Sequence, residues 1–167
     1  MKNTKHYLQV LLKEIILFLF CGGTYALIEV IYKGTERGTH WSMFILAGFC
    51  GCLFIDGLNN MFSYEMDFLL QIFICMILVA VCEYYVGCAV NKDYFIWDYI
   101  DVWMNYKGQI CLPFTLAWGL ISTISIPILD FIEWKVFKYK PETPHYYKVF
   151  GNKIFQFKQQ LNTELIN

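Results

Sequence analysis

Long uncharged apolar runs alternate along this chain with short polar connectors. From Ile110 to Leu129 no residue is charged. A helix crosses the roughly 30 Å hydrocarbon core with about 20 apolar residues, each rising about 1.5 Å, so this run alone is long enough. Three more segments, about 8–32, 41–59 and 67–90, reach that length by admitting at least one acid, and the fourth extends over about 110–134. Only helices and closed barrels satisfy their backbone polar groups in lipid. The runs lack the ten-residue alternation of a barrel strand. The pattern therefore predicts an all-α integral membrane protein, with four transmembrane helices in residues 1–139 and a tail over 140–167.

Lysines flank the apolar core. Lys2, Lys5 and Lys13 stand at the start, and Lys135, Lys138, Lys140, Lys148, Lys153 and Lys158 follow the last run, while the intervening loops hold few basic residues. Positive-inside bias then places both termini, and the tail, in the cytoplasm. Loop 1 (Lys33–His40) and loop 3 (Asn91–Gln109) share the outer face, where Trp41, Trp97, Tyr99, Trp103 and Tyr106 form an aromatic belt. The two loops are expected to make an outer-face cap. In the tail, Phe150, Ile154, Phe157, Leu161 and Leu165 recur at four- and three-residue steps. That spacing suits a cytoplasmic amphipathic helix over 149–165 lying on the membrane or a partner; a solvated tail is the alternative, since isolated helices of this length are marginal.

Composition agrees with a lipid environment. Hydrophobic residues make up 57% of the chain and charged residues 16%, against roughly 25% charged in soluble domains. A globule this small leaves too much surface exposed to hide that excess. The basic residues form no dense patch, which argues against nucleic acid. Seven cysteines, an odd number mostly inside apolar runs, show neither a disulfide framework nor a C-x-x-C metal motif. No metal or other cofactor is expected. The first run is not followed by a small-residue cleavage site, so it is read as a retained span.

Three acids interrupt the apolar runs: Glu29, Asp56 and Glu83. A charge near the bilayer centre costs about 2.5–3.5 kcal/mol on insertion scales, so it faces a partner, a cavity or a helix end. Glu29 has Lys33 one turn away. Glu83 has no basic residue within a turn, and the expected partner is Arg37 or His40 of loop 1, with Asp98 or Asp101 sharing the network. Structural tethering and an ion or proton site both remain open for it. Packing features are also visible. Gly22-Gly23 is expected to loosen the first helix, Ala47 and Gly51 to allow close helix approach, and Pro127 to kink the fourth helix near Thr123.

With the two loops placed together, a resemblance emerges. "RGTHWSMFILAGFC" (Arg37–Cys50), the lone Glu83, "WDY" (Trp97–Tyr99) and "GQICLPFTLAWG" (Gly108–Gly119) resemble the putative type IV ABC-transporter permease family, also called CmpB-like, in its short Firmicutes form. The match covers roughly Glu14 to Trp134. Ile100 stands where family members tend to have a serine, and Trp103-Met104-Asn105 keeps only the asparagine of a Pro-Phe-Asn. The resemblance implies an integral membrane protein and suggests transport. An outer-face network of Arg37, His40, Trp41, Trp97, Asp98, Tyr99, Asp101, Gly108, Cys111 and Trp118 is the expected site.

No G-x-x-x-x-G-K-[ST] phosphate loop occurs, so ATP hydrolysis would have to come from a separate chain. The expected function is a permease-like subunit of unknown substrate, partnered by the lipid bilayer and by a separate ATPase subunit or further copies of itself. The alternative is a non-catalytic accessory or assembly protein acting through its helices and tail. An enzyme is not expected. His6, His40 and His145 fall on both sides of the membrane, no H-E-x-x-H or G-x-S-x-G is present, and only Cys111 offers a nucleophile.

Overall fold

The computed structural model describes residues 2–34, 38–61, 65–137 and 145–157. Helix α1 is Lys2–Lys33. Helix α2, Trp41–Cys50, runs on through a π-helical segment, Gly51–Asp56, into α3, Gly57–Met61. Helix α4 is Phe68–Val90 and α5 is Leu112–Lys135. Two small antiparallel hairpins complete the fold: β1 (Asn105–Tyr106) with β2 (Ile110–Cys111), and β3 (Tyr146–Val149) with β4 (Asn152–Gln156).

Three of these helices are long and apolar enough to cross a membrane: Tyr7–Lys33 within α1, α4 and α5. The second expected span is shorter, its apolar part covering Trp41–Asp56. The reason lies in the sequence after Asp56, where Gly57, Asn59 and Asn60 end the apolar stretch although the helix itself continues. The long helices carry apolar side chains on their outward faces too, among them Leu19, Leu27, Phe73, Ile77, Leu120 and Ile124. Helices apolar all round belong in a core or in lipid, and these face out of the protein.

Helix ends follow from local chemistry. The imidazole of His40 accepts from Ser42 N at 3.3 Å and caps α2. Asp67 does the same for α4 through Leu69 N at 2.9 Å. Pro113 sits in the first turn of α5, where a missing N–H costs nothing. Pro127 lies inside α5 and the helix continues through it.

The glycines act as contact points more than as hinges. Helix α1 is continuous through Gly22-Gly23. A Cβ on Gly22 would lie 2.7 Å from the backbone oxygen of Phe44, and one on Gly48 would lie 2.7 Å from the Phe18 ring. Gly51 meets Cys21 in the same way. So α1 packs closely against α2 and the π-helical segment, as small residues permit. Two buried clusters result. Leu17, Ile55, Phe68, Cys75, Ile126 and Leu129 fill the end near the β3–β4 hairpin, and Met43, Leu46, Cys50, Val79, Trp97 and Trp118 fill the other.

The tail is a correction. Instead of an amphipathic helix over 149–165, residues 146–156 form a hairpin; residues 158–165 lie outside the described residues. Phe150 and Gly151 both have positive φ, 48° and 78°, at the turn between Val149 and its partner Asn152. Such two-residue turns match the strand twist. Tyr147 and Phe157 then reach inward, with Phe157 stacked on Trp134 at 5.5 Å.

Polar contacts seat the hairpin on the start of α4. Tyr146 donates to Glu65 at 2.6 Å, Lys148 pairs with Glu65, and Phe150 N donates to Asp67. The Lys148 hydrogen bond, and then that of Tyr146, hold the Glu65 carboxyl below its ordinary value. A depressed carboxyl stabilises the fold above its unfolded value of about 4.3, and that contribution is lost as pH falls through the lower folded value. Acidification below about pH 4 is therefore expected to loosen the hairpin. A drop in amide protection over 146–156 at acid pH, after correction for the intrinsic slowing of exchange in acid and absent in Glu65→Gln, is the measurement; identical protection profiles would refute it.

Candidate functional site

The segment after α4 folds into a cap over one end of the helices. Asn91, 1% exposed, organises it. Its side chain donates to Trp97 O at 2.6 Å and accepts from Ile96 N at 2.8 Å, while Gln109 Nε2 donates to its backbone oxygen at 3.0 Å. The Trp97 indole donates to Gln109 O at 2.9 Å. Gly87 lets this cap sit close, since a Cβ there would come within 2.9 Å of the Trp97 ring. Gly108 needs its φ of +63° where it packs under Tyr94 and Ile100. The Asn91 and Gln109 amides and the positive-φ turns at Tyr94, Met104, Lys107 and Gly108 thus fold the cap locally.

Beneath the cap lies a cavity of about 1030 Å³. Glu83 of α4 lines it and is only 1% exposed. Its carboxylate accepts from Tyr99 Oη at 3.2 Å and from Trp118 Nε1 at 2.9 Å. Tyr25 stacks on Trp118 at 5.1 Å, and Tyr99 on Phe114 at 4.8 Å. At the rim, Lys33 Nζ contacts Glu29 at 2.6 Å and Ile96 O at 3.1 Å, and Thr39 donates to Glu29. The two connectors therefore meet through Lys33.

The structure distributes the expected site residues unevenly. Glu83, Tyr99 and Trp118 come together, and Glu29, His40, Trp97 and Asp98 also line the cavity. Glu83 is not tied to His40, whose imidazole serves Ser42 instead, at 2.7 Å from its hydroxyl. Asp98 caps the following turn through Ile100 N at 2.9 Å, and Asp101 is exposed. Arg37 lies outside the described residues. Trp41 is exposed beside His40. Cys111 is 2% exposed and precedes α5, a poor position for a nucleophile. Among the described residues no group of three or more His, Cys, Asp or Glu is placed to hold a metal ion.

A second polar cluster, at the hairpin end, escaped the sequence reading. Lys13 of α1, 8% exposed, bonds Glu133 of α5 and lies 3.3 Å from Asp56 Oδ2. It also lies 3.0 Å from Glu14. Asn60 donates to Glu133 at 2.9 Å. The π-helical turn, closed by Gly57 N on Cys52 O, sets Asp56 inward beside this cluster; such turns insert one extra residue into a helix. Next to it Tyr147 donates to Asp130, with His145 Nδ1 at 3.4 Å from the same carboxylate. The available signal was Asp130 and Glu133 at i,i+3 on one helix face.

Apolar helices of membrane length around a capped, aromatic-walled cavity are the architecture of a membrane protein. The chain belongs to the family described as "Putative ABC-transporter type IV", whose model matches residues 14–157. That match takes in the Glu83 site, the hairpin and all of the second cluster except Lys13, and it marks the protein as a membrane component associated with transport. The family is described as a putative transporter component, not as a catalytic family. No curated protein and no solved structure matches the chain.

Proposed function

We propose that this chain is a permease-like subunit in which the cavity above Glu83 is a solute vestibule. The helical stretch Trp41–Met61 serves as the fourth crossing, since its 21 residues at about 1.5 Å each span the hydrocarbon core. Both termini face the cytoplasm, consistent with the lysine-rich ends. The cap then faces outward. Energy comes from a separate ATPase subunit, and further copies or subunits complete the path. One observation carries this reading: a cavity at the upper end of the ligand-pocket range of about 300–1,000 Å³, with a nearly sealed carboxylate in its wall. A purely structural acid would need no chamber beside it.

An accessory role is the second reading, favoured by the exposed Phe150, Ile154 and Phe155 of the hairpin, which would suit a partner. Two measurements decide. Asp98→Cys is expected to react with a membrane-impermeant maleimide in intact cells, and Lys153→Cys only after permeabilisation. Mild-detergent purification from native membranes is expected to bring along an ATP-hydrolysing subunit. Inverted labelling would overturn the orientation, and a chain that purifies alone would favour the accessory role.

A further inference from the structure

The wall chemistry narrows what the vestibule takes, on the reading that it is a solute site. We propose that it binds an organic ammonium ion, the cationic head resting on the aromatic walls with Glu83 as its countercharge.

Among the described residues, the charges facing the cavity do not balance. Glu29, Glu83 and Asp98 supply three carboxylates, against Lys33 and the titratable His40. Lys33 is committed to Glu29, and His40 to the α2 cap. Glu83 is met by a phenol and an indole, both neutral donors, and by no cation among the described residues. These donors can serve a carboxylate, but ionising Glu83 at membrane depth without a cation beside it is expensive. A cationic ligand supplies what the protein withholds.

The aromatic walls indicate which kind of cation. Two stacked pairs, Tyr25 with Trp118 and Tyr99 with Phe114, line the cavity together with the carboxylate. Ring faces attract ammonium groups, tryptophan most strongly. Donation from the Tyr99 hydroxyl and the Trp118 indole to Glu83 polarises both rings, making them better partners for a cation. A bare calcium or magnesium ion wants several oxygen ligands, whereas this wall is largely aromatic and aliphatic. An anion would meet the carboxylate's repulsion. A neutral apolar solute would leave Glu83 without its countercharge.

The test uses the full-length chain in lipid nanodiscs with three water-soluble probes: benzyltrimethylammonium, choline, and 3,3-dimethyl-1-butanol, choline's neutral isostere. Titration calorimetry is expected to show both ammonium probes binding at least about tenfold more tightly than the alcohol. Glu83→Gln is expected to weaken the ammonium probes about tenfold and leave the alcohol unchanged. Equal binding of choline and its isostere, or no binding of either ammonium probe, overturns the inference. So does unchanged ammonium affinity in a folded Glu83→Gln. Where Glu83→Gln fails to fold, Tyr99→Phe and Trp118→Phe replace it, and each must lower ammonium affinity about threefold. Failure here leaves the permease reading to the labelling and ATPase results, which do not depend on the charge of any probe.

Discussion

Replacing Lys13 with methionine is expected to destabilise the fold by about 3–5 kcal/mol, the cost of removing one partner from a buried ion pair. Lys13 is the cation shared by Glu133, 0% exposed, and Asp56. Methionine keeps the length and apolar stem of the side chain, so the loss falls on the charge. Without it two buried carboxylates on neighbouring helices face each other. Asp56 Oδ1 already has no hydrogen-bond partner among the described residues. Denaturant or thermal unfolding in detergent measures the loss. Adding Glu133→Gln to Lys13→Met removes one of the stranded charges and is expected to restore part of the stability. A Lys13→Met protein as stable as the parent would mean that these charges are solvated.

Asn91→Ala is expected to cost about 2–4 kcal/mol, because a buried polar group left unsatisfied costs about 1–3 kcal/mol. The amide joins Ile96 N to Trp97 O, and its loss orphans both. The cap over 91–111 would then lose the bond that closes it on the end of α4. Cys111, buried beneath this cap, reports the opening. Its labelling by an impermeant maleimide is expected to accelerate at least about tenfold over the parent, read against the constant background of exposed Cys88. Unchanged labelling together with an unchanged melting temperature would show that the cap is held elsewhere.

The two substitutions act at opposite ends of the same helices and illustrate different origins of stability. Lys13 and Glu133 lie 120 residues apart, and no local pattern links them. In the sequence Lys13 passes for one more basic residue flanking a span. Asn91 acts within a segment of about twenty residues, and its role follows from turn chemistry once the neighbouring positive-φ positions, Tyr94, Met104 and Lys107, are known. Glu83 stands between these cases. Its isolation in an apolar run marked it, but a search for a cationic partner pointed to loop 1. Its partners among the described residues are neutral donors sixteen and thirty-five residues away.

The tail shows how one pattern serves two periods. Phe150, Ile154 and Phe157 fit helical steps, yet Tyr147, Phe155 and Phe157 fit an alternating strand face equally well. The left-handed turn at Phe150-Gly151 and the room for Tyr147 and Phe157 beside Trp134 decided for the hairpin.

By itself the sequence determined that the chain belongs in lipid, where its long apolar helices run, and which acids interrupt them. Those properties are local sums over consecutive residues, because transfer into hydrocarbon depends on run length and composition. Only the tertiary structure decided that Lys13 joins three helices, that Glu83 is held by a phenol and an indole, and that a chamber opens beside it. Those are matters of distance between segments far apart in the chain, and hydropathy carries no record of which faces meet.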